Sequence, residues 1–214
     1  RNFFGKKAKI IGIELNPEAK RFEKYGFNIE IGSQSSEEFW KKFFSKYGKV
    51  DIVLDDGGHT NYQQIITANN CIPKIKNDGM LVVEDVHTSY FKRYGNPNKY
   101  SFMNFSKKSI DDINCTFPKA GNFNYSLNKS VYSIEYYESI VAFKINRNLC
   151  NTNKLITNKG IDSEIKDLAS IYDYLDFQNK HPNLYKFKFI RNIIRVISRN
   201  LIKIKSKKLK SYFK

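Results

Sequence analysis

Apolar residues in the first half of the chain fall in short runs, most of them closed by acidic side chains. Lys9-Ile10-Ile11-Gly12-Ile13-Glu14 is a β-rich run ending in an acid, and Asn16-Pro17 then opens a predicted helix to about Tyr25. Residues 27–31 predict a second strand, ending at Gly32-Ser33-Gln34-Ser35. Ser36-Glu37-Glu38-Phe39-Trp40 opens a helix that runs to about Tyr47. Val50-Asp51-Ile52-Val53-Leu54 reads as a buried-type strand leading directly into Asp55-Asp56-Gly57-Gly58-His59. The spacing of Ile65, Ile66, Ala68, Ile72 and Ile75 predicts a helix from Asn61 to about Lys76. Gly79-Met80-Leu81-Val82-Val83 is a further apolar strand, and it ends in Glu84-Asp85.

Residues 88–130 lose this regularity and read as a long loop with a helix near 109–114. Two strands, 131–137 and 139–145, are joined tightly at Glu138, which predicts an antiparallel hairpin at a sheet edge. A polar linker follows over 146–158, then helices over about 163–177 and 183–210. Short apolar strands alternating with helices indicate an α/β fold with a doubly wound, mainly parallel sheet. Ligands of such sheets sit beyond the carboxyl ends of the strands. Glu14, Asp55-Asp56 and Glu84-Asp85 all fall at such ends.

Composition changes the picture in one respect. The 214 residues carry 37 Lys+Arg against 21 Asp+Glu, a formal charge of +16. Residues 180–214 hold 12 of the basic residues and no acid, which leaves residues 1–179 with a net charge of only +4. The basicity therefore belongs to the tail, and no nucleic-acid partner is expected, since the main domain offers no basic groove or recognisable binding module. A hydrophobic fraction of 41% excludes wholesale disorder. Cys71, Cys115 and Cys150 are too widely spaced for a zinc site or a disulfide framework, which favours a reducing cytoplasm.

Asp55-Asp56-Gly57-Gly58-His59 sets two carboxylates and an imidazole within five residues. Glu84-Asp85 ends the next strand, and neighbouring strands lie about 4.8 Å apart. Carboxylates converging there repel one another unless a cation neutralises them, and an oxygen-rich set suits Mg²⁺, Mn²⁺ or Ca²⁺ better than zinc. The competing reading of each acid alone is a helix cap or a loop carboxylate; their coincidence at matched strand ends favours chemistry.

The run Val53-Leu54-Asp55-Asp56-Gly57-Gly58-His59, followed by Glu84-Asp85-Val86-His87-Thr88-Ser89-Tyr90, resembles the metal-dependent sugar O-methyltransferases that use S-adenosylmethionine (SAM). Gly12-Ile13-Glu14-Leu15-Asn16-Pro17 and Gly32-Ser33-Gln34-Ser35 are similar to that family's second and third strand ends, and the resemblance covers about residues 5–145. It implies a Rossmann-like class I SAM methyltransferase sheet, with SAM and Mg²⁺ or another divalent cation as cofactors. It implies that Asp56, Glu84 and Asp85 hold the metal and that His59 is the general base toward a sugar hydroxyl. Glu14 would bond the SAM ribose, Ser33 and Gln34 would lie near the adenine, and Asp55 would line the SAM or metal site. His87 and Tyr90 would line the substrate pocket. Folds of this kind begin with a strand and a Gly-rich turn; nothing before Lys9 supplies either, and the chain opens Arg1-Asn2-Phe3-Phe4. The methyltransferase domain, residues 1–150, is therefore expected to be N-terminally incomplete, with 151–214 a helical basic extension.

The expected acceptor is a sugar, nucleotide-linked or a surface-glycan precursor. The same fold acting on another small phosphorylated acceptor, or a non-catalytic membrane-peripheral module, are the alternatives. Ile190, Ile193, Ile194, Ile197, Leu201 and Ile204 share one helical face, beside Arg191, Arg195, Arg199 and Lys203. The expected location is the cytoplasm, where such a basic amphipathic helix within 183–210 either lies on the anionic inner face of the membrane or packs on the domain or a subunit partner. A homo-oligomer is also expected.

Overall fold

A computed structural model describes residues 3–115, 127, 129–150 and 180–213. Contacts divide the chain into two units, Arg1–Ile156 and Thr157–Lys214.

In the first unit, β1 (Ile11–Glu14) and β2 (Asn28–Ile31) form a two-stranded parallel sheet in which Glu14 pairs with Ile31. Between them Pro17–Tyr25 winds as a 3₁₀ segment, capped by the Asn16 side chain, which accepts from the Glu18 amide. The helix expected to about Tyr25 is present in this tighter winding, and no side chain of the segment is buried. α1 (Glu37–Tyr47) starts at Ser36, whose hydroxyl accepts from the Phe39 amide. Its Trp40, Phe43 and Phe44, spaced for one helical face, are buried in the core.

The second sheet has four strands in the order β3 (Val50–Asp55), β4 (Ile75–Val83), β6 (Ile140–Ile145) and β5 (Val131–Tyr137). β3 and β4 run parallel, whereas β4–β6 and β6–β5 are antiparallel. Glu138 and Ser139 form the hairpin turn, with Ser139 at φ 62°. The parallel sheet expected from the alternation thus comes in two pieces, because β1 bonds only β2 and β3 bonds only β4 among the described residues. β3 correspondingly departs from the buried strand expected of it: Ile52 and Leu54, two residues apart on one face, are 43% and 60% exposed.

α2 (Asn61–Cys71) begins with a capping box between Thr60 and Gln63 and buries Ile66, Ala68 and Cys71. It stops five residues short of the expected end. Pro73 has no amide hydrogen to continue the helical ladder, so the chain passes through a 3₁₀ turn, Ile72–Lys74, and Ile75 joins β4 instead. The β3–β4 register shifts between Val50 and Ile52, and Gly79 lies so close that a Cβ there would meet the Asp51 carbonyl oxygen at 2.1 Å. α3 (Phe102–Asn114) is capped by Ser101 and starts seven residues before the helix expected at 109. The opening of the expected linker is also ordered: the Arg147 guanidinium donates to the carbonyls of Ile72, Pro73 and Ile75.

The second unit contains α4 (Pro182–Tyr185) and α5 (Lys188–Lys207), followed by a 3₁₀ segment, Lys208–Phe213. The single helix expected over 183–210 is broken at Lys186-Phe187. The helix expected over 163–177 lies outside the described residues.

Candidate active site

The carboxyl ends of β3 and β4 meet where the Glu84 amide donates to the Asp55 carbonyl at 2.9 Å. Beyond that bond the two chains turn away as tight loops. The loop after β3 is shaped by Gln34, which reaches over from the segment after β2. Its amide nitrogen donates to Asp55 Oδ1 at 2.9 Å and to Thr67 Oγ1 at 3.2 Å, and its amide oxygen accepts from the Gly58 amide at 2.8 Å. The Trp40 indole holds Gln34 in turn by donating to its backbone carbonyl at 2.9 Å. The close approach requires glycine, since a Cβ at Gly57 would meet Gln34 Oε1 at 1.9 Å.

This turn brings His59 back across the strand ends. Its Nε2 lies 3.5 Å from Asp85 Oδ2 and 4.0 Å from Asp56 Oδ1. Ligand atoms of Asp56, His59 and Asp85 all fall within 4.8 Å of one another. The three side chains remain reachable from solvent, at 62%, 23% and 45% exposure. The two carboxylates converging there are the oxygen donors that a hard divalent cation takes, and the imidazole stands beside them. Glu84 is not part of this group; its backbone carbonyl accepts from Gln64 Nε2 at 3.0 Å.

His59 and Asp85 both take the left-handed conformation, with φ of 58° and 53°. Together with Ser139 they are three of the five non-glycine residues with positive φ among the described residues. Such residues cost of order 1–3 kcal/mol each and concentrate where geometry is set for function. Ser139 enters the site from the hairpin: its carbonyl accepts from the Val86 amide, and its hydroxyl lies 2.6 Å from His87 Nδ1 and 3.5 Å from Asp85 Oδ1. Sequence reading missed Ser139, because its 54-residue separation from Asp85 is bridged only by the β6–β4 pairing.

The other expected residues distribute as follows. Glu14 is exposed at the end of β1, where its backbone carbonyl accepts from the Gly32 amide. The Ser33 hydroxyl accepts from the Ser35 amide at 3.2 Å, so it shapes its own turn. Asp55 is 7% exposed, and its Oδ2 has no partner. Burial pushes its carboxyl above the usual range, against the opposing hydrogen bonds from Gln34 and Gly57. Tyr90 is 46% exposed and lies near Tyr136 of β5, whose hydroxyl burial pushes upward. His87 packs edge-on against Phe91 with centroids 5.2 Å apart.

This α/β arrangement is the fold of a methyltransferase of known structure. The chain superposes on the MycE methyltransferase from the mycinamycin biosynthetic pathway, solved in complex with Mg and SAH, with a TM-score of 0.59 over 65% of this chain and 38% of that one, at 22% identity. A second crystal form of that complex gives 0.62 over 73% of this chain and 41% of that one, at 21% identity. By sequence the chain is similar to L-olivosyl-oleandolide 3-O-methyltransferase of Streptomyces antibioticus, 34% identical over 65 residues, which are 30% of this chain and 17% of that protein. It is also similar to a tetracenomycin-C rhamnosyl 3'-O-methyltransferase of Streptomyces olivaceus, 24% identical over 76% of this chain and 43% of that protein. These relatives match the resemblance to sugar O-methyltransferases read from the motifs. The chain spans less than half the length of each of them. No protein-family profile matches it.

Proposed function

We propose that this chain is part of a divalent-metal-dependent methyltransferase that moves the methyl group of SAM to a hydroxyl of a sugar. The observation that carries the reading is the His59 imidazole placed between Asp56 and Asp85, at the carboxyl ends of two adjacent parallel strands. Asp56 and Asp85 would hold the metal, and Glu84, expected as a third ligand, stands outside the converging group. When bound, a divalent cation lowers the pKa of a hydroxyl that it contacts, which an alcohol needs before it can attack a sulfonium near neutral pH.

The chain's own residues divide the remaining tasks. His59 Nε2, 3.5 Å from Asp85 Oδ2, accepts the hydroxyl proton, and the flanking carboxylates stabilise the imidazolium so formed. Gln34 keeps the Asp55–Gly58 turn in the form that presents His59. Glu14 binds the ribose hydroxyls and the Ser33–Gln34 turn borders the adenine. Tyr90 and His87 border the acceptor. The edges of β1 and β3 that are unpaired among the described residues, and the exposed Ile52 and Leu54, suit a further strand between the two sheet pieces, where a Gly-rich SAM turn would follow.

The relatives are named for methylation of sugars carried on oleandolide and tetracenomycin, so glycosylated small molecules join nucleotide-linked sugars as acceptors to screen. The test is methyl transfer from labelled SAM with and without EDTA. Activity should vanish on chelation and return with Mg²⁺, and His59→Ala should lower turnover by about 10²–10⁴-fold while SAM affinity is kept. Full activity in EDTA would refute the metal-dependent reading.

No helix among the described residues is long and apolar enough to cross a membrane. α5 nevertheless exposes Phe189, Ile193, Val196, Ile197 and Ile204, positions that share one side of the helix, and 180–214 contains no acid. This pairing of apolar stripe and positive charge supports peripheral contact with an anionic lipid surface. Vesicles containing phosphatidylglycerol should bind the protein at low salt, and binding that survives deletion of 183–214 would rule this contact out.

A further inference from the structure

We propose that Thr88 is a positioning residue whose hydroxyl sets the separation of the His59 imidazole and the Asp85 carboxylate. This rests on the metal-and-base reading of that site. Thr88 lies in the 3₁₀ segment Val86–Tyr90 and is 4% exposed. Its Oγ1 is 2.8 Å from the carbonyl oxygen of His59 and 2.8 Å from that of Asp85. One hydroxyl proton is thus shared between the backbones of two residues on different loops. The Thr88 amide adds a third bond, to the Asp85 carbonyl at 3.0 Å.

The two residues so joined are the two that face each other at 3.5 Å through their side chains, and both are left-handed. A left-handed His or Asp persists only where its surroundings enforce it. Past the Glu84–Asp55 bond the strands no longer hold the loops together. Gln64 bonds the Glu84 carbonyl and Ser89 bonds the Asn61 side chain, and both contacts tie α2 to the segment after β4. Thr88 is, among the described residues, the side chain bonded to the backbones of both His59 and Asp85. Without its proton, two carbonyl oxygens facing one another lose the donor between them, and the loops are free to part.

The test uses the full chain with Thr88→Val, which keeps the shape and removes the hydroxyl, and Thr88→Ser, which restores it. Mn²⁺ binding without SAM is read by electron paramagnetic resonance, and kcat and KM are measured separately. Thr88→Val should weaken Mn²⁺ about 10-fold or more and lower kcat with little change in acceptor KM, and Thr88→Ser should recover both. Parent-like Mn²⁺ binding and kcat in Thr88→Val would overturn the proposal. So would a Thr88→Ser variant as impaired as Thr88→Val, since packing of the methyl group would then be what matters. If Thr88→Val fails to fold, Thr88→Ala takes its place, and parent-like Mn²⁺ binding there overturns the proposal equally. A parent protein that binds no Mn²⁺ would instead fail the metal-site reading itself, and the clamp with it.

Discussion

Asp112 offers a test of the energetics that is independent of any cofactor. Its carboxyl sits on α3, 4% exposed, with Oδ1 lacking a partner. Burial raises its pKa from 3.8 to about 6; the attraction of Lys108 and a bond from the Leu127 amide oppose this only in part. The folded protein therefore holds this proton more tightly than the unfolded chain does. Its contribution is most favourable below the unfolded value of 3.8 and is lost as pH rises through about 6. At about 1.4 kcal/mol per pKa unit the full loss is about 3 kcal/mol, and roughly half of it falls between pH 5 and 7.5. Asp112→Asn resembles the protonated acid and cannot ionise. Its stability should exceed that of the parent by about 3 kcal/mol at pH 7.5 and by about half as much at pH 5, a gap of several degrees in melting temperature that narrows on acidification. Urea unfolding at the two pH values measures this directly. A difference between the two proteins that does not change with pH would refute the assignment of the raised pKa to Asp112.

Three further outcomes are expected. Gln34→Ala removes bonds to Asp55, Thr67 and Gly58, and should cost about 2–3 kcal/mol in urea unfolding. Gly57→Ala drives its new Cβ onto the same Gln34 amide, so adding it to Gln34→Ala should cost much less than adding it to the parent, as a double-mutant cycle would show. Arg147→Ala strands the carbonyls of Ile72, Pro73 and Ile75, and should destabilise by about 2–3 kcal/mol, with Arg147→Lys recovering only part because an ammonium cannot fork across three acceptors.

What was legible in the sequence was local. Short apolar runs and the period-3.6 pattern located β1 to β4, α1, the start of α2 and the hairpin, because strand and helix preferences are carried by side-chain type and spacing. Acids at successive strand ends marked Asp55-Asp56, with His59 after them, and Glu84-Asp85 as candidates, because alternating topology places such ends along one edge; of these the fold brings Asp56, His59 and Asp85 within 4.8 Å of one another. The end of α2 was misjudged although Pro73 was visible, since Ile72 and Ile75 continue the helical spacing while being buried by a turn and a strand. The start of α3 was missed because Ser101-Phe102 lies among polar residues that read as loop.

The sequence by itself determined the α/β alternation, the acidic strand ends and the placing of +12 of the net +16 charge in the last 35 residues, all of which follow from side-chain type and spacing. Only the tertiary structure decided which groups touch. Gln34 grips a turn more than twenty residues away, Ser139 reaches Asp85 across the hairpin, and Thr88 joins two left-handed residues on separate loops. Contacts of this kind depend on strand register and on backbone angles that neighbouring packing imposes. No local propensity encodes them, because a left-handed His or Asp is unfavourable until the rest of the fold holds it there.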